Sequence, residues 1–431
     1  MDLVIIGILF LGVLLLLYAI GVPVAVAMGA TSIVIMTSPY GDGIQYGVIS
    51  TQLLFGLNSF TLLAIPFYLL LGRLMNRIGM TQRIFRFASS LVGQFRGGIA
   101  HVNIVASMIF SGMSGLAVAD AAGLGRVEYR AMRDQGYRKD ISLGVSGSSA
   151  IIGPIIPPSV PIIIYAVLAE ESIGELFLGG IIPGLLLGLM LMVLVFIMVR
   201  VQGYTETQPF ELGEFWDSFK GAFLAMLAPV IIIGGILTGY FTATEAGAIA
   251  VVYVVIVGYI YGELSIPIII QELRDGMVET FSLTFIVAIA ALYGLVALQL
   301  RLPILLADGI TALTEDTMLI LLLLVLLLLI VGTFMETIAA ITILVPILMP
   351  VLQVAGIDPL HFGIVMILTL MLGLLTPPFG VILFVLEKVT DATLEEVMKS
   401  VIPFYLPILV VLGLIIVFPE LVTYIPIEFM G

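Results

Sequence analysis

Long stretches without a single charged side chain set the limits on this fold. They include residues 3–41, 43–72, 141–169, 176–199, 221–244, 280–300 and 401–419. A helical bilayer crossing takes about 20 apolar residues, so some of these runs hold one span and the first holds two. Apolar residues make up 61% of the chain and charged ones 10%, with a mean hydropathy of +1.26. No soluble core absorbs that much apolar surface. The runs lack the period-two alternation of a transmembrane β-barrel. The expected fold class is an all-α polytopic membrane protein.

Residues 1–20 lack a basic n-region and a small-residue cleavage pattern, so they are expected as a retained first span. There are no cysteines and only two histidines, His101 and His361. Disulfides, thiolate metal sites and a histidine-built metal centre are therefore not expected. A net charge of −13 disfavours a nucleic-acid partner.

Orientation follows from Lys and Arg. Arg73, Arg77, Arg83, Arg86 and Arg96 precede residues 97–125, and Arg126, Arg130, Arg133, Arg138 and Lys139 follow them. Both flanks are basic, so both are expected on the cytoplasmic side, although 29 residues, Gly112, Gly115, Gly123 and Gly125 among them, separate Arg96 from Arg126. A re-entrant helical hairpin from about Gly98 to Glu128 satisfies this, with its tip near residues 111–115. Residues 83–96 are amphipathic and Arg-bearing, which suits a helix lying on the interface. Residues 317–353 repeat the pattern between acidic flanks, broken at 332–337, and are expected to enter from the opposite face. Residues 141–169 and 361–386 are spans interrupted at Gly153, Pro154, Pro157 and Pro158, and at 375–380.

The halves match element by element in reversed orientation. Ser114 to Pro157 is 43 residues, and so is Phe334 to Pro377. Inverted repeats with broken helices at mid-membrane characterise secondary transporters. The expected count is ten to eleven spans, residues 50–72 among them, plus two hairpins, with both termini extracytoplasmic. Residues 1–97, 170–316 and 389–431 make the scaffold, the cytoplasmic connection and the last span. Residues 98–169 and 317–388 make the moving part.

The breaks carry the chemistry. Unwound backbone frees carbonyl oxygens, helix ends add dipoles, and hydroxyls add neutral oxygens. Such a donor set suits Na⁺ better than a transition metal. The candidate cation ligands in the first half are Ser111, Gly112, Ser114, Gly115, Ser146, Ser148, Ser149, Gly153 and Pro154. In the second half they are Gly332, Thr333, Thr337, Thr376, Pro377 and Gly380. Ser114, Ser149, Thr333 and Thr376 are the candidates for substrate contact. Asp120 and Glu336 are the acids deepest in the hairpins. A mid-membrane carboxylate costs on the order of 3 kcal/mol, which points to cation coordination, with helix capping as the alternative. One acid per half fits two cation sites. The histidines read as packing residues and Trp216 as an interface anchor. No nucleophile–base pair and no phosphate-binding loop is present, so energy is expected from an ion gradient.

Five runs carry a family resemblance: LLAIPFYLLLGRLM (62–75), RGGIAHVNIVASMIFSGMSGLAVADAAGLG (96–125), GPIIPPSVPIIIYAV (153–167), PILMPVLQVAGIDPLHFGIVM (346–366) and TPPFGVILFV (376–385). Together they resemble the large, DctM-like membrane subunit of TRAP transporters, the tripartite ATP-independent periplasmic carriers. The resemblance implies an elevator-type, usually Na⁺-coupled importer of C4-dicarboxylates, sialic acid or similar carboxylates, in the plasma (inner) membrane. It implies two partners, a small four-helix membrane subunit and a soluble extracytoplasmic substrate-binding protein. The family's tip and break positions fall on residues 111–115, 146–158, 332–337 and 376–380. Where relatives carry Ser-Gly-Ser-Ser at the first tip, this chain has Ser114, Gly115, Leu116 and Ala117, which removes a side-chain ligand at 116. The competing readings are a stand-alone carboxylate symporter and, more distantly, an intramembrane hydrolase.

Overall fold

The computed structural model describes residues 3–38, 46–202 and 209–430, with side chains at all of these except 3, 4, 8, 111–114 and 311. The described residues form helices and no strands. The first half runs α1 (Leu3–Ala19), α2 (Val24–Thr37), α3 (Gly47–Leu57), α4 (Ala64–Arg77), α5 (Met80–Val92), α6 (Gly98–Ser114), α7 (Ala117–Ala122), α8 (Leu124–Asp134), α9 (Lys139–Ala150), α10 (Val160–Ala169) and α11 (Ile173–Gln202). The second runs α12 (Leu212–Leu237), α13 (Ala243–Ile260), α14 (Ile266–Gln299), α15 (Leu302–Thr311), α16 (Thr317–Phe334), α17 (Thr337–Ala355), α18 (Pro359–Leu374), α19 (Val381–Val389), α20 (Leu394–Val401), α21 (Tyr405–Val417) and α22 (Glu420–Met430).

A shift of 220 in residue number lays the first half on the second. It carries α6 onto 318–334, against α16 at Thr317–Phe334. It carries α9 onto 359–370, inside α18, and α10 onto 380–389, against α19 at Val381–Val389. The helix starts repeat in position but not in capping chemistry, since Pro23, Gly97 and Arg138 precede α2, α6 and α9 without a side-chain cap. Thr242 with Glu245, and Thr393 with Glu396, form capping boxes, while Asp316 and Asp358 cap α16 and α18.

The contacts interleave the two halves. α4 packs on α13, and its counterpart α14 packs on α2 and α3. α17 packs on α10, and α7 packs on α19. Each hairpin's second arm thus leans on the broken helix of the other half. Tyr68 of α4 donates to the Ala243 carbonyl at 2.8 Å, and Tyr165 of α10 donates to the Pro359 carbonyl at 2.6 Å.

Among the described residues, seven helices are long and apolar enough to cross a membrane, or eight with the bent pair α3–α4. The expected ten spans also include α1, α2 and the pairs α9–α10 and α18–α19. Each of those helices is shorter than the roughly 20 residues of a straight crossing. Both arms of the second hairpin, α16 and α17, meet the length test on their own.

Two expectations are corrected. Residues 50–72 do not form one straight helix, because α3 and α4 meet at 56°. Asn58 and Ser59 lie at the bend, with Ser59 extended, and a 3-10 turn follows at Phe60–Leu63. Asn and Ser hydrogen-bond locally and favour non-helical backbone. Their counterparts Val278 and Glu279 lie inside the unbroken α14. The first hairpin also runs past Glu128, to Asp134, with a further break at Gly123.

The amphipathic segment forms α5 at Met80–Val92 and buries Met80, Ile84, Phe87 and Ala88 against α6 and α12. Its arginines have internal partners. Arg86 holds both carboxylate oxygens of Glu214, at 2.7 and 2.8 Å. On α4, Arg73 meets Glu272, Asp275 and Glu279 of α14 at 3.0, 3.2 and 3.6 Å. Trp216 is half-exposed on the first turns of α12, edge-on to Phe215 and Phe219. His361 is buried, its Nε2 at 2.8 Å from the Ile415 carbonyl, and His101 is buried edge-on to Phe95.

Candidate cation and substrate site

The first tip rests on the first break. The backbone of Ser111, Gly112 and Ser114 closes α6, in the turn where helix carbonyls have no intrahelical donor. Their side chains lie outside the described residues, and so do the roles expected of the two hydroxyls. Gly115 then turns the chain at φ +62°, where an L side chain costs about 1–2 kcal/mol. A Cβ there would sit 2.9 Å from the Pro158 carbonyl oxygen and 3.1 Å from Ser159 Cα. The tip therefore lies directly on the backbone that unwinds between α9 and α10.

Asp120 lies one turn into α7, buried at 5% exposure. Its Oδ2 lies against Gly153, where a Cβ would come within 2.4 Å of it. Asp120 and Gly153, both expected at the site, are thus in contact. The Pro154 carbonyl accepts the Ser159 hydroxyl at 2.6 Å, which leaves it one further lone pair for a cation. Ser159 in turn caps α10.

The three serines of α9 differ. Ser148 donates to the Val145 carbonyl at 3.2 Å. Ser149 bonds to Glu128 Oε2 and to the Ser146 carbonyl, each at 3.4 Å. Ser146 Oγ is buried with no hydrogen-bond partner. Sequence reasoning missed Glu128, whose carboxyl is 1% exposed and accepts the Ser107 hydroxyl of α6 at 3.1 Å. The signal was available. Leu124, Glu128 and Met132 stand at i, i+4 and i+8 on α8 and are all buried, so the acid occupies the apolar stripe.

The second tip is tighter. α16 continues through Gly332 and Thr333 to Phe334, so the break is only Met335 and Glu336, shorter than the expected 332–337. Thr333 Oγ1 donates to the Ile330 carbonyl at 2.7 Å. Glu336 Oε2 accepts the Ile338 and Ala339 N–H groups, at 2.8 and 3.3 Å, and so caps α17. Thr337 Oγ1 is buried with no partner. The rings of Phe334 and Phe379 lie 5.3 Å apart, so this tip also meets its own break. At that break Thr376 Oγ1 donates to the Leu372 carbonyl at 2.7 Å, and the Thr376 carbonyl accepts Gly380 N–H at 3.1 Å. The Pro157–Pro158 and Pro377–Pro378 peptides are both cis.

The breaks of the two halves approach each other through α9 and α19. A Cβ at Gly147 would lie 2.9 Å from Leu386 and 3.5 Å from Leu375. A cavity of about 560 Å³ opens between α3 and α14 on one side and α10 and α17 on the other. Asn58, Ser59, Glu170 and Gln353 supply polar lining. None of the candidate site residues lines it. It marks the seam between the expected scaffold and the expected moving part.

Comparison with known proteins adds to this geometry. Residues 11–421 match a family model described as "Tripartite ATP-independent periplasmic transporter, DctM component". The chain is 42% identical to the sialic acid TRAP transporter large permease protein SiaM of Vibrio cholerae, over 96% of this chain and 97% of that one. It is 37% identical to the C4-dicarboxylate TRAP transporter large permease protein DctM of Pseudomonas aeruginosa, over 85% and 84%. Among solved structures, the YdaH transporter of Alcanivorax borkumensis superposes with a TM-score of 0.65 at 14% identity, covering 95% of this chain and 97% of that one. At that identity the likeness concerns the fold.

Proposed function

We propose a function from one premise: the chain belongs to the DctM component family of tripartite ATP-independent periplasmic transporters. It is a multi-pass membrane component of a transporter and not an enzyme, which removes the hydrolase reading. Its substrate is an organic acid, sialic acid or a C4-dicarboxylate in class, as the names of its relatives suggest. A soluble extracytoplasmic binding protein delivers the acid, a small four-helix membrane subunit widens the scaffold, and an inward Na⁺ gradient drives uptake.

The observation that carries this reading is the pair of tip-on-break contacts, Gly115 on Pro158 and Phe334 on Phe379, whose members the shift of 220 brings within one residue of each other. In each half, helix-end carbonyls, hydroxyls and an acid gather where two helices are interrupted. A cation held there ties the tip to the break and shapes the pocket between the hairpins. Residues 98–169 and 317–388 then move as one body against the remaining helices, along the seam at the cavity, in an elevator motion. In this reading both termini are extracytoplasmic and the hairpins enter from opposite faces.

The test is uptake into proteoliposomes holding the chain and its small subunit, with substrate-loaded binding protein outside. Accumulation of labelled N-acetylneuraminate or succinate should need both the binding protein and an inward Na⁺ gradient. Equal uptake with K⁺ in place of Na⁺ would refute sodium coupling. Equal uptake without the binding protein would favour the stand-alone symporter.

A further inference from the structure

Glu128 has no part in the function just described, yet its surroundings are those of a ligand site. Its carboxyl lies between α6 and α9 and accepts a hydroxyl from each, Ser107 at 3.1 Å and Ser149 at 3.4 Å. No Lys, Arg or His forms an ion pair with it among the described residues. A buried carboxylate without a positive partner is strongly disfavoured, and two hydroxyl donors offset only part of that cost. Asp120, on the adjoining α7, is a second buried acid of the same hairpin arm. Two like charges in one dry region favour a cation beside them.

Ser146 is the independent observation. Its hydroxyl is fully buried and has no hydrogen-bond partner. It stands one turn before Ser149 on α9. Its carbonyl lies near Gly125, one turn before Glu128 on α8, where a Cβ would be 3.8 Å away. The two helices therefore meet along Gly125 and Glu128 on one side and Ser146 and Ser149 on the other. Ser146 thus stands one turn from the Ser149 hydroxyl that bonds the Glu128 carboxylate. Every donor there is an oxygen, the ligand type of hard cations.

We propose that Glu128, with the hydroxyls of Ser146 and Ser149, binds a small monovalent cation, Na⁺, at the seam of α8 and α9 behind the first hairpin tip. This rests on the sodium-coupled reading and adds a third acid, on α8, to Asp120 and Glu336. A cation there fixes the second arm of hairpin 1 to α9, so its arrival is felt at the tip.

A ligand that binds only the folded state raises Tm with its concentration, so the Na⁺ midpoint reports affinity independently of transport. The measurement uses the full-length purified chain in lipid nanodiscs, titrated with NaCl at constant ionic strength against choline chloride. Glu128→Gln should raise the half-saturating Na⁺ concentration about tenfold or more. Its Tm without Na⁺ should stay at or above that of the parent, because a buried charge has been removed. Ser146→Ala should shift the midpoint the same way by less. A parent chain that responds to Na⁺ and a Glu128→Gln variant with an unmoved midpoint would overturn this site alone. A parent chain with no Na⁺ response would overturn the site and the sodium-coupled reading together. Should Glu128→Gln not fold, Glu128→Asp carries the test: the shortened arm must weaken Na⁺ binding, and an unmoved midpoint overturns the proposal.

Discussion

The two hairpins share a register but not a chemistry. Shifting by 220 puts Glu336 on Leu116 and puts Asp120 on Ala340, so the two acids are not counterparts. Glu336 stands at the helix start and caps α17 through two backbone N–H groups. Asp120 stands one turn in, against Gly153 of the neighbouring break. The second arm of hairpin 2 is one continuous helix of 19 residues, whereas that of hairpin 1 breaks at Gly123 and buries Glu128. Repetition preserved the hairpin tips and the broken spans and did not preserve where the charge sits. Hairpin 1 therefore concentrates its acids between helices, and hairpin 2 places its acid at a helix terminus, where a dipole also stabilises it.

The most damaging substitution should be Gly153→Ala, because it drives a methyl group to 2.4 Å from Asp120 Oδ2. Asp120 is short, buried and on a helix, so the two cannot easily part. Overpacking of this kind costs about 1–3 kcal/mol and displaces a proposed cation ligand. Sodium-dependent uptake should fall to background while the protein still reaches the membrane. Uptake at the parental rate would show that the Asp120–Gly153 contact is only packing.

Glu336 offers a cleaner division between two roles. Glu336→Ala removes the cap, at about 1 kcal/mol of stability, and removes the charge. Glu336→Ser keeps a capping oxygen and removes only the charge. If the carboxylate coordinates a cation, both variants should lose most of their uptake, although only Glu336→Ala loses stability in thermal melts. A Glu336→Ser protein that transports normally would reduce the residue to a cap and sharpen the contrast with Asp120.

These contrasts also show what the sequence discloses. Interruptions built from Pro and Gly are legible because those residues act on the backbone directly, whatever surrounds them. Residues 151–159 and 375–380 fall where Pro154, Pro157, Pro377 and Gly380 place them. The bend between α3 and α4 carries neither residue type at Asn58 and Ser59, so no proline or glycine marked an interruption at that point of the span. Membership of the shared repeat was legible through spacing. The identity of the buried acids was not, because Glu128 sits among Arg126, Arg130 and Arg133 and looks like part of a solvated face. Only its phase relative to Leu124 and Met132 separates it from those arginines. The bonds that decide between capping and coordination at Glu336 depend on where the N–H groups of residues 338 and 339 point, which composition does not encode.

The smallest expected effect lies at the link between α19 and α20, where hairpin 1 is tied to the other half and hairpin 2 is not tied in the same way. Tyr129 of α8 donates its hydroxyl to Asp391 in the link between α19 and α20. Lys139 reaches the Asp391 carbonyl at 2.8 Å and Glu396 at 2.9 Å. The residue that the 220 shift places opposite Tyr129 is Met349, which has no hydroxyl to offer. Tyr129→Phe should therefore cost about 1 kcal/mol at neutral pH, a modest value because the acceptor is charged but largely solvated. The hydrogen bond from Tyr129 holds the Asp391 carboxyl below the usual aspartate range, helped by Lys139 and Arg133. A depressed folded-state value means the stabilisation is present above the unfolded aspartate value of about 3.9 and is lost as pH falls through the folded one. The deficit of Tyr129→Phe in thermal melts should thus be constant from pH 7 to about pH 5. It should shrink in stronger acid, as the parent protein loses the same charge-assisted bond. A deficit that grows on acidification would mean that Asp391 is not the partner that matters, and that this tie does not distinguish the two hairpins.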